Sequence, residues 1–183
     1  MKPTFTKSID SIVKGMAYWI AYTLEINKTK FTEAEAVGEI AKILQVKLPV
    51  SANICREVTY KSVCQNYKGN GNQRADIGIF IDNKCECLIE VKLNENSNGG
   101  YKKDITKLSQ IKQNNKDIDC YVILLYRSSC NINEPKPFVS DEGKALKRTL
   151  DINNNKIRVR RVSNALCSRT AEKMKKVVCF EIL

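Results

Sequence analysis

The stretch Arg74-Ala75-Asp76-Ile77-Gly78-Ile79-Phe80-Ile81, then Asp82-Asn83-Lys84, then Cys85-Glu86-Cys87-Leu88-Ile89-Glu90-Val91-Lys92, decides how this chain reads. Both arms are rich in β-branched and apolar residues and a polar turn separates them, which is the pattern of a β-hairpin. With the turn centred on Asn83, residue i faces residue 166 − i, so Asp76 lies opposite Glu90 and Arg74 opposite Lys92. Glu90 and Lys92 are two apart and share one face of their strand. The pairing collects two carboxylates and an ammonium group on one patch. Two carboxylates about 5 Å apart at an effective dielectric of about 20 repel by roughly 3 kcal/mol. A good cross-strand pair contributes only ~0.2–1 kcal/mol. The patch therefore requires a cation. A divalent ion with oxygen ligands, such as Mg²⁺, suits two carboxylates. Neutralisation by Lys92 and Arg74 in a purely structural hairpin is the alternative.

The elements around the hairpin follow from periodicity. Ser8 to Asn27 reads as a helix, with Ile9, Ile12, Val13, Met16, Ile20 and Leu24 at helical spacing. Thr32 with Glu35 three residues later forms a capping box for a second helix through about Gln45, and Pro49 stops it. Asn53 to Val63 reads as a strand and Tyr67 to Gln73 as a polar turn. After the hairpin come a flexible loop, Asn94 to Gly100, and a helix from Tyr101 to Asn114. Cys120 to Tyr126 (CYVILLY) is a continuous apolar run, expected at the centre of a sheet. Residues 128–140 read as a loop with Pro135 and Pro137, and Asp141 to Leu150 as a helix. Lys156 to Val162 and Val177 to Ile182 read as strands joined by a helix or turn. The expected class is α/β, a mixed central sheet flanked by helices, with an N-terminal helix and a basic C-terminal extension over about 141–183.

The motif Asp76, followed across a strand-turn-strand interval by Glu90-Val91-Lys92, resembles the PD-(D/E)XK nuclease superfamily and its restriction-endonuclease-like fold. The likeness includes the apolar run Cys87-Leu88-Ile89 before the Glu and the RADIGIF string around the Asp, and covers roughly residues 31–127. Ala75 stands where the namesake Pro would be, a Pro that many members lack. The resemblance implies an αβββαβ core and a metal-dependent nuclease. Asp76, Glu90 and the backbone carbonyl of Val91 would then ligate Mg²⁺ or Mn²⁺, and Lys92 would orient the attacking water or stabilise developing charge. Glu57, in REVTY on the preceding strand, matches a Glu often found there. On the second helix Ala36, Val37, Ile40 and Leu44 define the buried stripe. A helix glutamate reaching the site would therefore be Glu39, which borders that stripe, and not Glu35, which points nearly opposite.

Composition frames these readings. The chain has 183 residues, a formal net charge of +11 and no histidine, with a pI near 9.3. This is one domain of ordinary size, and its basic balance suggests nucleic acid as a partner, DNA before RNA on the strength of the resemblance. The missing imidazole excludes Ser-His-Asp triads, Cys-His proteases and zincins. The eight cysteines are scattered, the start MKPTFTKS lacks the plan of a signal peptide, and the apolar stretch Ile12 to Leu24 is too short to span a bilayer. A cytoplasmic chain with free cysteines and no membrane partner is expected. From Lys144 to Lys176 there are eleven Lys or Arg against Asp151 and Glu172, a local balance of +9. Lys156, Arg158 and Arg160 alternate and would line one strand face for phosphate contacts, with Arg161 on the other face. Lys103, Lys107 and Gln110 share a helix face that could also touch a backbone. The leading expectation is a DNA endonuclease, which the resemblance allows to act as a homodimer. The alternative is a nucleic-acid-binding or assembly module of the same fold without turnover.

Overall fold

The run CYVILLY lies inside β4 (Asp119–Cys130), the fourth of seven strands in a single sheet. The computed structural model describes residues 5–27, 29–94, 100–130, 138–139, 145–146, 149–166 and 174–183. Beside β4 lie β1 (Ala52–Thr59), β2 (Arg74–Ile81), β3 (Lys84–Asn94), β5 (Thr149–Ile152), β6 (Asn155–Leu166) and β7 (Met174–Ile182), in the order β1-β2-β3-β4-β7-β6-β5. Only β3 and β4 pair in parallel (Glu90↔Val122), so the sheet is mixed and the protein is α/β. Such a central strand must be apolar on both faces, because helices cover both. The basic C-terminal stretch is thus no peripheral extension. Its strand β7 pairs with β4 (Ile123↔Cys179) and supplies the neighbour that keeps β4 off the edge.

Each face of the sheet has its own core. On one face pack α1 (Thr6–Ala21) and α2 (Glu33–Lys47), against Ile77, Ile79, Ile89, Val91, Ile123 and Cys179. α1 buries Ile9, Ile12, Val13, Met16 and Ile20 as its spacing requires, then widens into a π-helical turn over Tyr22–Ile26. α2 buries Ala36, Val37, Ile40 and Leu44. On the other face α4 (Gly100–Asn114) sets Ile105, Leu108 and Ile111 against Leu88, Val122, Leu124 and Phe180. At roughly 1.5–3 kcal/mol for each fully buried aliphatic side chain, these two layers fix the helices on the sheet, with the ends of α2 and α4 beside β3. Among the described residues no helix is long and apolar enough to cross a membrane.

Two further expectations change. The strand expected from Asn53 to Val63 ends at Thr59, and Tyr60–Val63 forms a one-turn helix, α3, that carries Tyr60 under the sheet. The helix expected over Asp141 to Leu150 is absent where that stretch is described. Ala145 bridges to Val139, and Thr149 opens β5, whose hairpin to β6 turns through Asn153 and Asn154, both at positive φ. The rest of that span lies outside the described residues, as do most of the loop expected at Asn94 to Gly100, residues 131–137 of the loop expected over 128–140, and the link between β6 and β7.

The capping box at α2 is present in full. The Thr32 hydroxyl accepts from the Glu35 amide at 3.2 Å, and Glu35 accepts from the Thr32 amide at 2.6 Å. This fixes the first turn of α2, where Glu33 stands. Thr32→Ala should lower unfolding free energy by about 1 kcal/mol in a urea titration, with an unchanged m-value.

Candidate active site

The site forms where β2 and β3 run side by side. Asp82 and Asn83 both adopt positive φ, 49° and 61°, so the hairpin turns through two residues and not three. Two-residue turns with both residues left-handed match strand twist and favour Asn and Asp. Near the turn the pairs are Ile81↔Lys84 and Phe80↔Cys85. The register then shifts by one, leaving Glu86 as the extra residue, and from Ile79↔Cys87 to Ile77↔Ile89 the partners sum to 166. The bulge restores the register that a three-residue turn would give. Asp76 and Glu90 therefore face each other on the side of the sheet covered by α4.

The Asp76 carboxylate accepts from the Val91 amide at 2.7 Å, and the Asp76 and Glu90 carboxyls share a hydrogen bond. Glu90 is 3% exposed. Burial, then Asp104, then Asp76 push its pKa up to about 9, while the Tyr60 hydroxyl, which donates to its Oε1, pulls the other way. Burial also raises Asp76, against the Val91 and Glu90 hydrogen bonds and the Lys92 charge. The stronger rise at Glu90 puts the shared proton there. Tyr60 is fully buried, and its own phenol is held protonated by burial and by the Glu90 charge. It packs on Tyr67 with ring centroids 5.0 Å apart, and the Tyr67 hydroxyl donates to Gln73 Oε1 at 2.6 Å. A Cβ on Gly69 would lie 2.4 Å from Gln73 Oε1 and 2.5 Å from the Tyr67 ring, so glycine is required for this support to close.

Lys92 is held from both sides of the sheet. Its Nζ lies 2.8 Å from Glu33 Oε1 at the start of α2 and 3.7 Å from Asp104 Oδ2 on α4. Glu33 also accepts from the Leu93 amide at 3.2 Å. Burial opposes the ammonium charge, yet the Glu33 hydrogen bond and the charges of Asp104, Glu33 and Asp76 hold its pKa above the ordinary lysine value. Lys92 is therefore a cation at neutral pH. Lys107 donates to Asp104 Oδ1 at 2.6 Å.

The other expected residues are placed differently. Glu39 pairs with Lys42 at 3.1 Å on the flank of α2, and the α2 glutamate that meets the site is Glu33. Glu57 sits between the pairs Arg56↔Ile77 and Val58↔Ala75, level with Asp76, but its φ of 57° takes it out of the ladder and its side chain is exposed. Val91 meets Asp76 through its amide N–H. Of the expected α4 stripe, only Lys107 joins the site: Lys103 is exposed, and Gln110 has a buried Oε1 with no hydrogen bond. On β6, Lys156 is exposed and Arg158 binds Glu181 at 2.6 Å and 3.0 Å. A register shift between Val159 and Arg161 makes Arg160 the extra residue, so Arg160 and Arg161 both turn to Asp10 of α1, at 3.9 Å and 3.4 Å. Arg158, Arg160 and Arg161 are thus ion-paired within the chain, while Lys156 and Arg158 stay exposed. Glu33, Tyr60 and Asp104 were not singled out from the sequence.

The donor type suits a hard divalent cation, since Asp76 and Glu90 set carboxyl oxygens side by side. Among the described residues no group of three or more acidic, cysteine or histidine side chains that could hold a metal ion is present. Comparisons with family models, curated proteins and solved structures return no match. The functional reading rests on the chemistry of these side chains.

Glu90 holds a proton in the folded state that the unfolded chain has lost between about pH 4.5 and about 9. In EDTA, stability should therefore fall as pH rises through that window, by up to ~1.4 kcal/mol per pH unit for one group. Lys92, with a pKa above the ordinary 10.5, contributes no slope there. Glu90→Gln should flatten the profile in urea titrations at pH 6, 7.5 and 9.

Proposed function

We propose that this chain is a metal-dependent nuclease of restriction-endonuclease-like fold that hydrolyses phosphodiester bonds of nucleic acid, with DNA as the proposed substrate. The observation that carries the reading is the facing of Asp76 and Glu90 across β2 and β3, with Lys92 two residues on and held as a cation. The order α2-β1-β2-β3-α4-β4, interrupted only by the single turn of α3, is consistent with an αβββαβ core.

In this reading Asp76, Glu90 and the Val91 carbonyl hold Mg²⁺ or Mn²⁺. When bound, such a cation supplies polarisation of a phosphoryl oxygen and acidification of a water. Glu90 gives up its proton as the cation enters, since ligating carboxylates must be ionised. Tyr60 keeps one Glu90 oxygen fixed by its hydroxyl. Lys92, anchored by Glu33, stabilises the negative charge that develops on the phosphoryl oxygens without reorganising.

The test is cleavage of supercoiled plasmid at low salt with Mg²⁺, Mn²⁺ or EDTA. Metal-dependent nicking or linearisation is expected from the wild type, with a loss of at least ~100-fold in Glu90→Ala and Lys92→Ala. Cleavage that survives both substitutions would refute this site. Retention of DNA in a gel shift without any cleavage would favour the binding module.

A further inference from the structure

Asp104 is a buried carboxylate that the nuclease reading leaves without a role. Its side chain is 3% exposed, yet Oδ2 has no hydrogen bond and Oδ1 has one, from Lys107 at 2.6 Å. The Lys92 ammonium lies 3.7 Å from Oδ2. One carboxylate thus stands between two ammonium groups that come from different elements, β3 and α4. Both lysine side chains are partly accessible, 29% and 27% exposed, and so is Glu33, which pairs with Lys92 at 2.8 Å. From solvent the cluster presents Lys92 with its Glu33 partner and Lys107, over the hidden Asp104 and Glu90.

A lone buried carboxylate is expensive, and its removal from a pair leaves an uncompensated charge. Here it accepts a hydrogen bond from Lys107 at 2.6 Å and sets a second negative charge 3.7 Å from Lys92, which Glu33 holds at 2.8 Å on the other side. A carboxylate and a phosphate present oxygens at similar spacing, so two ammonium groups that bracket the two oxygens of Asp104 can also bracket two oxygens of a phosphate on their open side. A lysine held this way loses its rotamer freedom before the substrate arrives, which is the gain of preorganisation.

We propose that Asp104 is a positioning residue that locks Lys92 and Lys107 into a two-lysine phosphate site beside Asp76 and Glu90. This rests on the nuclease reading, and it assigns Lys107 a place in the site and not on a solvated stripe. Without Asp104 the ammonium groups stay near the substrate but lose their shared anchor. Removing a negative charge would by itself favour an incoming phosphate, so a loss of turnover with undiminished binding distinguishes positioning from bulk charge.

The experiment uses the full chain, a 5′-fluorescein DNA oligonucleotide as probe, and Asp104→Asn, Lys107→Ala and, as a control on an exposed lysine, Lys116→Ala. Asp104→Asn should lower kcat at least tenfold with KM no higher than wild type. Lys107→Ala should raise KM fivefold or more while keeping the Mg²⁺-induced rise in melting temperature. Lys116→Ala should do neither. Acetic anhydride labelling read by mass spectrometry should show Lys107 protected relative to Lys116 in the wild type and several-fold more reactive in Asp104→Asn. Unchanged kcat and unchanged Lys107 labelling in Asp104→Asn would overturn the inference, as would equal effects of Lys107→Ala and Lys116→Ala. If the wild type binds the probe but never cuts it, with the labelling pattern intact and Lys107→Ala weakening probe binding, the nuclease reading falls and the lysine site stands. Cutting by the wild type with Asp104→Asn unimpaired leaves the nuclease and removes the inference.

Discussion

Keeping the Glu90 carboxyl out of water is the constraint that organises this end of the molecule. An ionised carboxylate moved into such a place costs several kcal/mol unless it is paired or hydrogen-bonded. The surrounding features each answer that cost. α3 breaks away from β1 so that the Tyr60 hydroxyl can donate to Glu90. Tyr67 stacks on Tyr60 and is tied to Gln73, so the donor cannot swing away. Asp76 shares a proton with Glu90 and takes the Val91 amide with its other capacity. Tyr60 and Tyr67 are also part of the apolar core on the α4 face, so packing and the buried carboxyl fix the same arrangement.

The hairpin was legible because its two errors offset. Centring a three-residue turn on Asn83 places Asp76 opposite Glu90. The chain instead turns through Asp82-Asn83 and regains the register at a bulge at Glu86. Alternation of apolar residues decides which face each side chain takes, and one face here is the core under α1 and α2. The tight turn alone would have shifted the pairing by one and turned Glu90 away from the α4 face. A bulge has no strong signature in a single sequence, so the facing of the carboxylates could be read while the path that produces it could not.

Helical periodicity named the buried stripe of α2 residue by residue and still chose the wrong glutamate. A wheel ranks residues by their angle around the axis, and Glu39 borders the stripe. Glu33 reaches the site along the axis, from the first turn over the end of β3. That is a question of where a helix starts relative to a strand, and it depends on tertiary contacts. The same blindness explains the basic strand. Alternation predicts that Arg161 leaves the face of Arg160, but the shift after Val159 puts both beside Asp10, more than 140 residues away in sequence. Asp104 was hidden for a related reason. An acid on a lysine-rich helix reads as a solvated neighbour until β3 is placed against it.

In the proposed reading, charge sets the condition under which a carboxylate-rich site could take a polyanion. Glu33, Asp76, Glu90 and Asp104 bring four negative charges when ionised, and Lys92 and Lys107 bring two positive ones, a balance of −2. With the proton on Glu90 the balance is −1, which still repels phosphate. A divalent cation that displaces this proton brings the sum to zero, because −4 + 2 + 2 = 0. The proposed metal and the two lysines are then complementary halves of one requirement. Two lysines alone would bind phosphate weakly against four carboxylates, and two carboxylates with a metal but no lysines would have nothing to meet the phosphoryl oxygens on the other side.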